Sequence, residues 1–234
     1  MDLRITKKDV VTGVYNGDVS NYGGSIYLEE NLGTVYFPNS INCTGELIAG
    51  KGTGIQAGSS IQAGSSIQAG SSINAGCGIN AGYSINAGYS INAGYSINAG
   101  SSIQAGSSIN AGSSINAGEG IKAGSSIKVG YSIKAGYSIQ AGRGINAGWG
   151  IQAGCGINAG LSITAKTSIE AKYRILAGTC SWREPSREEM AITCSKLLSG
   201  KVVFGNLVET GITEIGCDSK VIEIDGKKYR LVSL

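Results

Sequence analysis

The chain has 234 residues, 38 of them glycine and two proline, with no histidine; 19 Lys plus Arg against 16 Asp plus Glu leave a net charge of +3. Only 15% of the residues are charged, while 41% are apolar, against about 25% charged in an average globular chain. That balance excludes a disordered charged tail, and glycine at this level without a Gly-X-Y period or abundant proline excludes collagen. The lack of histidine removes imidazole general bases, histidine metal ligands and an imidazole pH switch near neutrality.

Residues 1–54 have mixed composition. The opening MDLRITKKDV is charged and lacks the apolar stretch of a signal peptide. No segment approaches the roughly 20 apolar residues that span a bilayer, so a soluble cytoplasmic protein with no membrane partner is expected. Ile26 to Leu28, preceded by Ser25, and Val35 to Phe37 read as short strands. Ile41, Ile48 and Ile55 are seven apart, which predicts a distorted first coil. A solenoid end must cover its apolar core and its unpaired backbone, so these residues are read as an N-terminal β cap.

From Ile55 to Ile175 an isoleucine occupies every sixth position, giving 21 hexads of the form I-x-A-G-x-S. The third place is Ala except at Val129, and the fourth is Gly except at Lys166 and Lys172. The sixth is Ser or Gly until Arg174 and Cys180. A period of six matches neither the 3.6 of a helix nor a heptad. Each hexad suits one short strand and one turn, so three hexads make an 18-residue triangular coil. Coils then stack about 4.8 Å apart.

Substitution among the hexads locates the surface. Position five takes Ser, Tyr, Cys, Glu, Arg, Trp, Leu and Thr, and position two takes Gln, Asn, Lys, Thr, Glu and Leu. Both therefore face water. Ile at position one and Ala at position three point inward, and Gly is expected to supply unusual backbone angles at the corner. Full burial of an isoleucine is worth about 1.5–3 kcal/mol before entropy. Asn74, Asn92 and Asn110 lie 18 apart, as do Asn80, Asn98 and Asn116. They are expected to form side-chain amide ladders.

The regularity decays from Lys166 and stops after Gly178, leaving residues 181–234 as a small α+β unit. Ser186 and Glu189 have capping-box spacing, which predicts a helix from about Arg187 to Leu198. Lys201 to Glu209 is expected to form a strand. Asp225-Gly226 between Val221–Ile224 and Tyr229–Val232 reads as a hairpin. The expected fold is all-β: a single-stranded triangular parallel β-helix, left-handed in preference to right-handed, over residues 55–180. It is flanked by the N-terminal cap and the C-terminal unit.

The I-x-A-G-x-S unit resembles the I-G-x-x-S-x unit of hexapeptide-repeat proteins, which fold as left-handed parallel β-helices; the likeness covers about 125 residues. That family favours small residues at position five, and Tyr83, Tyr89, Tyr95, Arg143 and Trp149 depart from this. Bactofilin-like polymers build a right-handed helix from similar repeats. The units also resemble those of phage and prophage proteins of Gram-positive bacteria. The resemblance to hexapeptide acyltransferases and γ-type carbonic anhydrases implies a catalytic histidine or three zinc-binding histidines. None is present, so no enzymatic activity, cofactor or metal is expected. The six cysteines, Cys43, Cys77, Cys155, Cys180, Cys194 and Cys217, form no C-x-x-C pair and read as reduced thiols.

Recognition is therefore sought at the variable corners. Tyr83, Tyr89 and Tyr95 ring one coil; Tyr131, Tyr137, Arg143 and Trp149 ring another, with Tyr173 two coils beyond Tyr137. With Trp182, these are the residue types enriched at binding hot spots, and a host protein is the expected partner. Lys122, Lys128 and Lys134 form a basic ring, for which nucleic acid is a weaker candidate. The leading expectation is a non-catalytic interaction protein, phage-related and acting in the host cytoplasm, that binds and blocks a host defence protein. The alternatives are a self-associating filament or fibre, with the C-terminal unit as oligomer contact, and an ice- or carbohydrate-binding surface. The hexads contain only Thr164 and Thr167 where ice binders carry threonine arrays.

Overall fold

The computed structural model describes residues 2–211, 221–224 and 227–230. The described residues contain strands and no helix, and their architecture is a parallel β-solenoid. Each hexad from Ile55 to Ala165 contributes a short strand that runs from at or just before the isoleucine to the third position, as in Ile79–Ala81, and the last two hexads merge into Ser168–Ala177. That strand pairs in parallel with Ile61–Ala63 on one side and Ile97–Ala99 on the other, 18 residues away in each direction. Ile lies over Ile and Ala over Ala. Repetition produces three faces. One contains Ile79–Ala81 (the first face), the next Ile85–Ala87 (the second) and the last Ile91–Ala93 (the third). The third face is a ten-stranded sheet, so the prism is ten coils deep, or about 48 Å at the usual strand spacing.

Backbone hydrogen bonds run along the prism axis in both directions. The Ile79 amide donates to Ser96 of the next coil (2.9 Å), and the Gly82 amide donates to Ala63 of the preceding one (3.1 Å). Corners are bonded too, as where the Tyr83 amide donates to Ser65 (2.9 Å). Inside, every hexad isoleucine is at most 2% exposed. The alanines and Val129 fill the remaining width, all being buried.

Glycine at position four has a reason different from the one expected. Apart from Gly178, no position-four glycine of the hexads has a positive φ. The constraint is close approach: a Cβ on Gly112 would sit 2.0 Å from the carbonyl oxygen of Gly94, one coil below. The same clash recurs at Gly82, Gly100, Gly118 and Gly136, each at 2.0 Å or less. A glycine at position six is different, since a Cβ on Gly120 would meet Ser138 at an ordinary 3.6 Å. This explains why position six accepts serine.

The amide ladders form as the spacing predicts. On the third face Nδ2 of Asn92 donates to Oδ1 of Asn74 and that of Asn110 to Asn92, both at 2.8 Å. On the first face Asn98 donates to Asn80 (2.8 Å) and Asn116 to Asn98 (2.9 Å).

The N-terminal residues share the same core. Leu3–Ile5 pairs with Ile26–Leu28, and that strand pairs with Leu47–Ala49. Gly33–Phe37 covers Thr53–Ala57 on the third face. The inward residue between Ile41 and Ile55 is Leu47, fully buried, while Ile48 takes the outward second position. The step from Ile41 to Leu47 is thus a normal six, and the extra residues fall in the Gly50–Gly52 corner. Thr53 fastens that corner: its hydroxyl donates to the Glu29 carbonyl (2.6 Å) and accepts from the Leu32 amide (3.0 Å).

The helix expected over 187–198 does not form. The capping-box contacts are present, with the Ser186 amide donating to the Glu189 carboxylate (3.0 Å). They close one turn only, after which Ala191–Cys194 pairs with Ile163–Ala165 and carries Ile192 into the core. Burying Ile192 and satisfying the strand edge outweigh a short exposed helix. Lys196–Phe204 and Asn206–Glu209 then lie on the preceding strands. Val221–Ile224 and Lys227–Arg230 pair antiparallel as a hairpin; Asp225, Gly226 and residues 231–232 lie outside the described residues.

Two paired comparisons check this packing. Ile109→Ala should lower stability by about 2–5 kcal/mol and Ile109→Val by about 0.5–1.5 kcal/mol, read from urea denaturation. Gly112→Ala should cost about 1–3 kcal/mol through overpacking. Gly120→Ala, whose Cβ makes only an ordinary contact, should stay within about 0.5 kcal/mol of the parent.

Candidate functional site: the corner aromatics and the second face

Strand register turns the corner residues into three columns, one per edge. The edge between the third and first faces carries Cys77, Tyr95, Ser113, Tyr131, Trp149 and Thr167. The edge between the first and second faces carries Tyr83, Ser101, Glu119, Tyr137, Cys155 and Tyr173. The last edge carries Tyr89, Ser107, Ser125, Arg143 and Leu161. All seven corner aromatics project into water, at 51–68% exposure. The rings read from the sequence are present, since successive corners share a coil. The closest approach is made along an edge: Tyr131 and Trp149 stack with ring centroids 5.4 Å apart and planes 14° from parallel. Their exposure of 51% each, against 64–68% for Tyr83, Tyr89, Tyr95 and Tyr137, records the mutual cover. Tyr95 lies two coils from Tyr131 on the same edge.

The basic ring is dispersed. Lys122 stands on the second face, Lys128 on the third and Lys134 on the first. A single straight partner would meet one of the three, which removes the geometric basis for a nucleic-acid track on that ring.

Trp182 is brought to the solenoid by an excursion over residues 178–190. Gly178 opens it with φ +87°, and the Met190 side chain fills the space where a Cβ would point. The Cys180 amide donates to Gly160 (3.0 Å), and the Thr179 hydroxyl donates to Oδ1 of Asn158 (2.6 Å). The loop thus leans over the second face, where the Trp182 ring lies 5.7 Å from the Arg143 guanidinium and 5.0 Å from that of Arg183. Arg183 in turn pairs with Glu189. That hydrogen-bonded ion pair, together with the Ser186 amide, pulls the Glu189 carboxyl down to about 2.

Under this loop a groove of about 810 Å³ runs along the second face, with Lys122, Gln140, Arg143, Asn158 and Trp182 in its wall. A second furrow of about 520 Å³ adjoins it across Gln140 and Asn158 and is bordered by Tyr137, Tyr173 and Arg174. Gln140, Asn158 and Arg174 were not singled out from sequence. The signal available for Arg174 was its place at position six, where Ser or Gly otherwise stands.

Five described cysteines are free thiols, and burial pushes the Cys43 thiol up to about 11; Cys217 lies outside the described residues. Among the described residues no cluster of three acidic or thiol side chains forms a metal site. No helix among them is long and apolar enough to cross a membrane. No protein-family model, curated protein or solved structure matches the chain.

The Glu189 brace should be pH-dependent. Its carboxyl is depressed from 4.5 to about 2, so the bracing is complete above pH 4.5 and is lost as pH falls through about 2. In a Trp149→Phe background, which leaves Trp182 as the sole tryptophan, emission should change across that window. Glu189→Gln should abolish the transition.

Proposed function

We propose that this protein is a non-catalytic β-solenoid scaffold that binds another protein through its aromatic edge. The observation that carries the reading is the exposed, stacked Tyr131–Trp149 pair, with Tyr95 on the same edge. Aromatic side chains bring large contact area at low entropic cost and dominate interface energetics. The column is presented by a backbone bonded at every coil, so little ordering is required on binding. The resemblance of the I-x-A-G units to phage and prophage repeats supports a phage-encoded protein in the host cytoplasm that occupies, and so blocks, a host defence protein.

The test uses substitutions native to the repeat. Replacing Tyr95, Tyr131 and Trp149 together by Ser leaves the core untouched, because Ser is the commonest residue at position five. A host protein captured from bacterial lysate by the parent should be retained at least about 10-fold more weakly by the variant, given hot-spot energies above about 1 kcal/mol per residue. Equal capture by the two proteins would discard the edge as the binding surface.

Self-association is a second reading, favoured by the last coil. Leu207 lies above Ile192 at a core position yet is 40% exposed, and Leu198, Val203, Phe204 and Val208 are 45–55% exposed beside it. Among the described residues Asn206–Glu209 ends its sheet, and apolar groups around such an edge are a template for another chain. Light scattering should then show a mass that is a multiple of 23.8 kDa, reduced to one chain by Val203→Lys with Leu207→Lys. A single chain at every concentration would end this reading.

A further inference from the structure

We propose that the second face is a binding site for an acidic carbohydrate chain. The two furrows lie side by side on one face, separated only by the low amide ridge of Gln140 and Asn158. Their walls contain three cations, Lys122, Arg143 and Arg174, and no aspartate or glutamate. All three cations are exposed, and the ion pair formed among the described residues, Arg183–Glu189, involves none of them. Among the described residues no carboxylate neutralises them, although the Arg143 guanidinium lies over the Trp182 ring. Guanidinium groups match carboxylates with two parallel hydrogen bonds, and two of the three cations are arginines.

The rest of the lining selects a sugar over a simple anion. Tyr137 and Tyr173, two coils apart on one edge, border one margin, and Trp182 borders the other. All three rings are more than half exposed; Lys172 lies over the Tyr173 ring and Arg143 and Arg183 over that of Trp182, so Tyr137 presents the clearest face. Exposed aromatic faces suit the apolar C–H faces of pyranose rings. The Gln140 amide and the hydroxyls of Ser125 and Ser181 offer the mixed donors and acceptors that sugar hydroxyls require. Glycine and alanine keep the floor flat, so an extended chain can lie across it. Combined, the furrows exceed the size of a single small-molecule pocket. A nucleic acid would use the same cations, but three contacts give it only weak, salt-sensitive binding.

This surface is separate from the Tyr95–Tyr131–Trp149 edge, which lies opposite the second face, so either proposal can fail alone. Hexagalacturonate is the probe, with maltohexaose as its neutral counterpart and hexathymidylate as a non-sugar polyanion, all by isothermal titration at low salt. Hexagalacturonate should bind, and maltohexaose at the same concentration should not. Lys122→Gln, Arg143→Ser and Arg174→Ser each restore a residue typical of the repeat. Together they should weaken binding at least tenfold. Tyr137→Ser with Tyr173→Ser should weaken it severalfold, an effect that mere charge attraction would not produce. The proposal is overturned if hexagalacturonate fails to bind, if maltohexaose binds equally, if hexathymidylate binds as tightly, or if the aromatic variant matches the parent.

Discussion

The structure depends on how closely each coil sits on the one below. At position four the carbonyl oxygen of the preceding coil occupies the space where a Cβ would be, at 2.0 Å in the case of Gly112 over Gly94. From Gly58 to Gly160, glycine at this place lets the coils settle to hydrogen-bonding distance. Once they do, register is fixed at 18 residues, and each class of side chain falls into a column. Isoleucines stack on the axis, asparagines hydrogen-bond along two faces, and position-five residues line the edges. A slip by one residue would expose every isoleucine.

That rigidity shapes both proposed surfaces. Neither depends on a loop closing over a ligand. The edge carrying Tyr131 and Trp149 and the second face carrying Arg143 and Arg174 are presented by backbone held to neighbouring coils on both sides. The Trp182 excursion adds the single irregular wall, and it is fastened by Thr179, the Gly178–Met190 contact and the Arg183–Glu189 pair. Binding energy then goes to the contacts themselves rather than to ordering the site.

Legibility in the sequence followed regularity. The inward isoleucines, the amide ladders and the outward corner aromatics could be read because 21 near-copies show which positions tolerate change. Reading failed where copies ran out. Ile48 looked like the next core residue by type, but Leu47 holds that place because spacing, not β-branching, selects the inward position. Ser186 and Glu189 make the contacts of a helix start, yet the chain turns once and returns to strand. A local signal of about 1 kcal/mol does not compete with burying Ile192 and pairing a sheet edge.

By itself, then, the sequence determined the solenoid, its three-hexad coil and the inside and outside of the repeats, because a period of six with invariant apolar places puts those places on one inward side of every strand. Only the tertiary structure decided which outward residues become neighbours. Tyr131 meets Trp149 because residues 18 apart lie on adjacent coils. Arg143 meets Trp182 because an excursion after Gly178 folds back over the second face. Such convergence arises from stacking and from the path of one irregular loop, neither of which leaves a periodic mark in the chain.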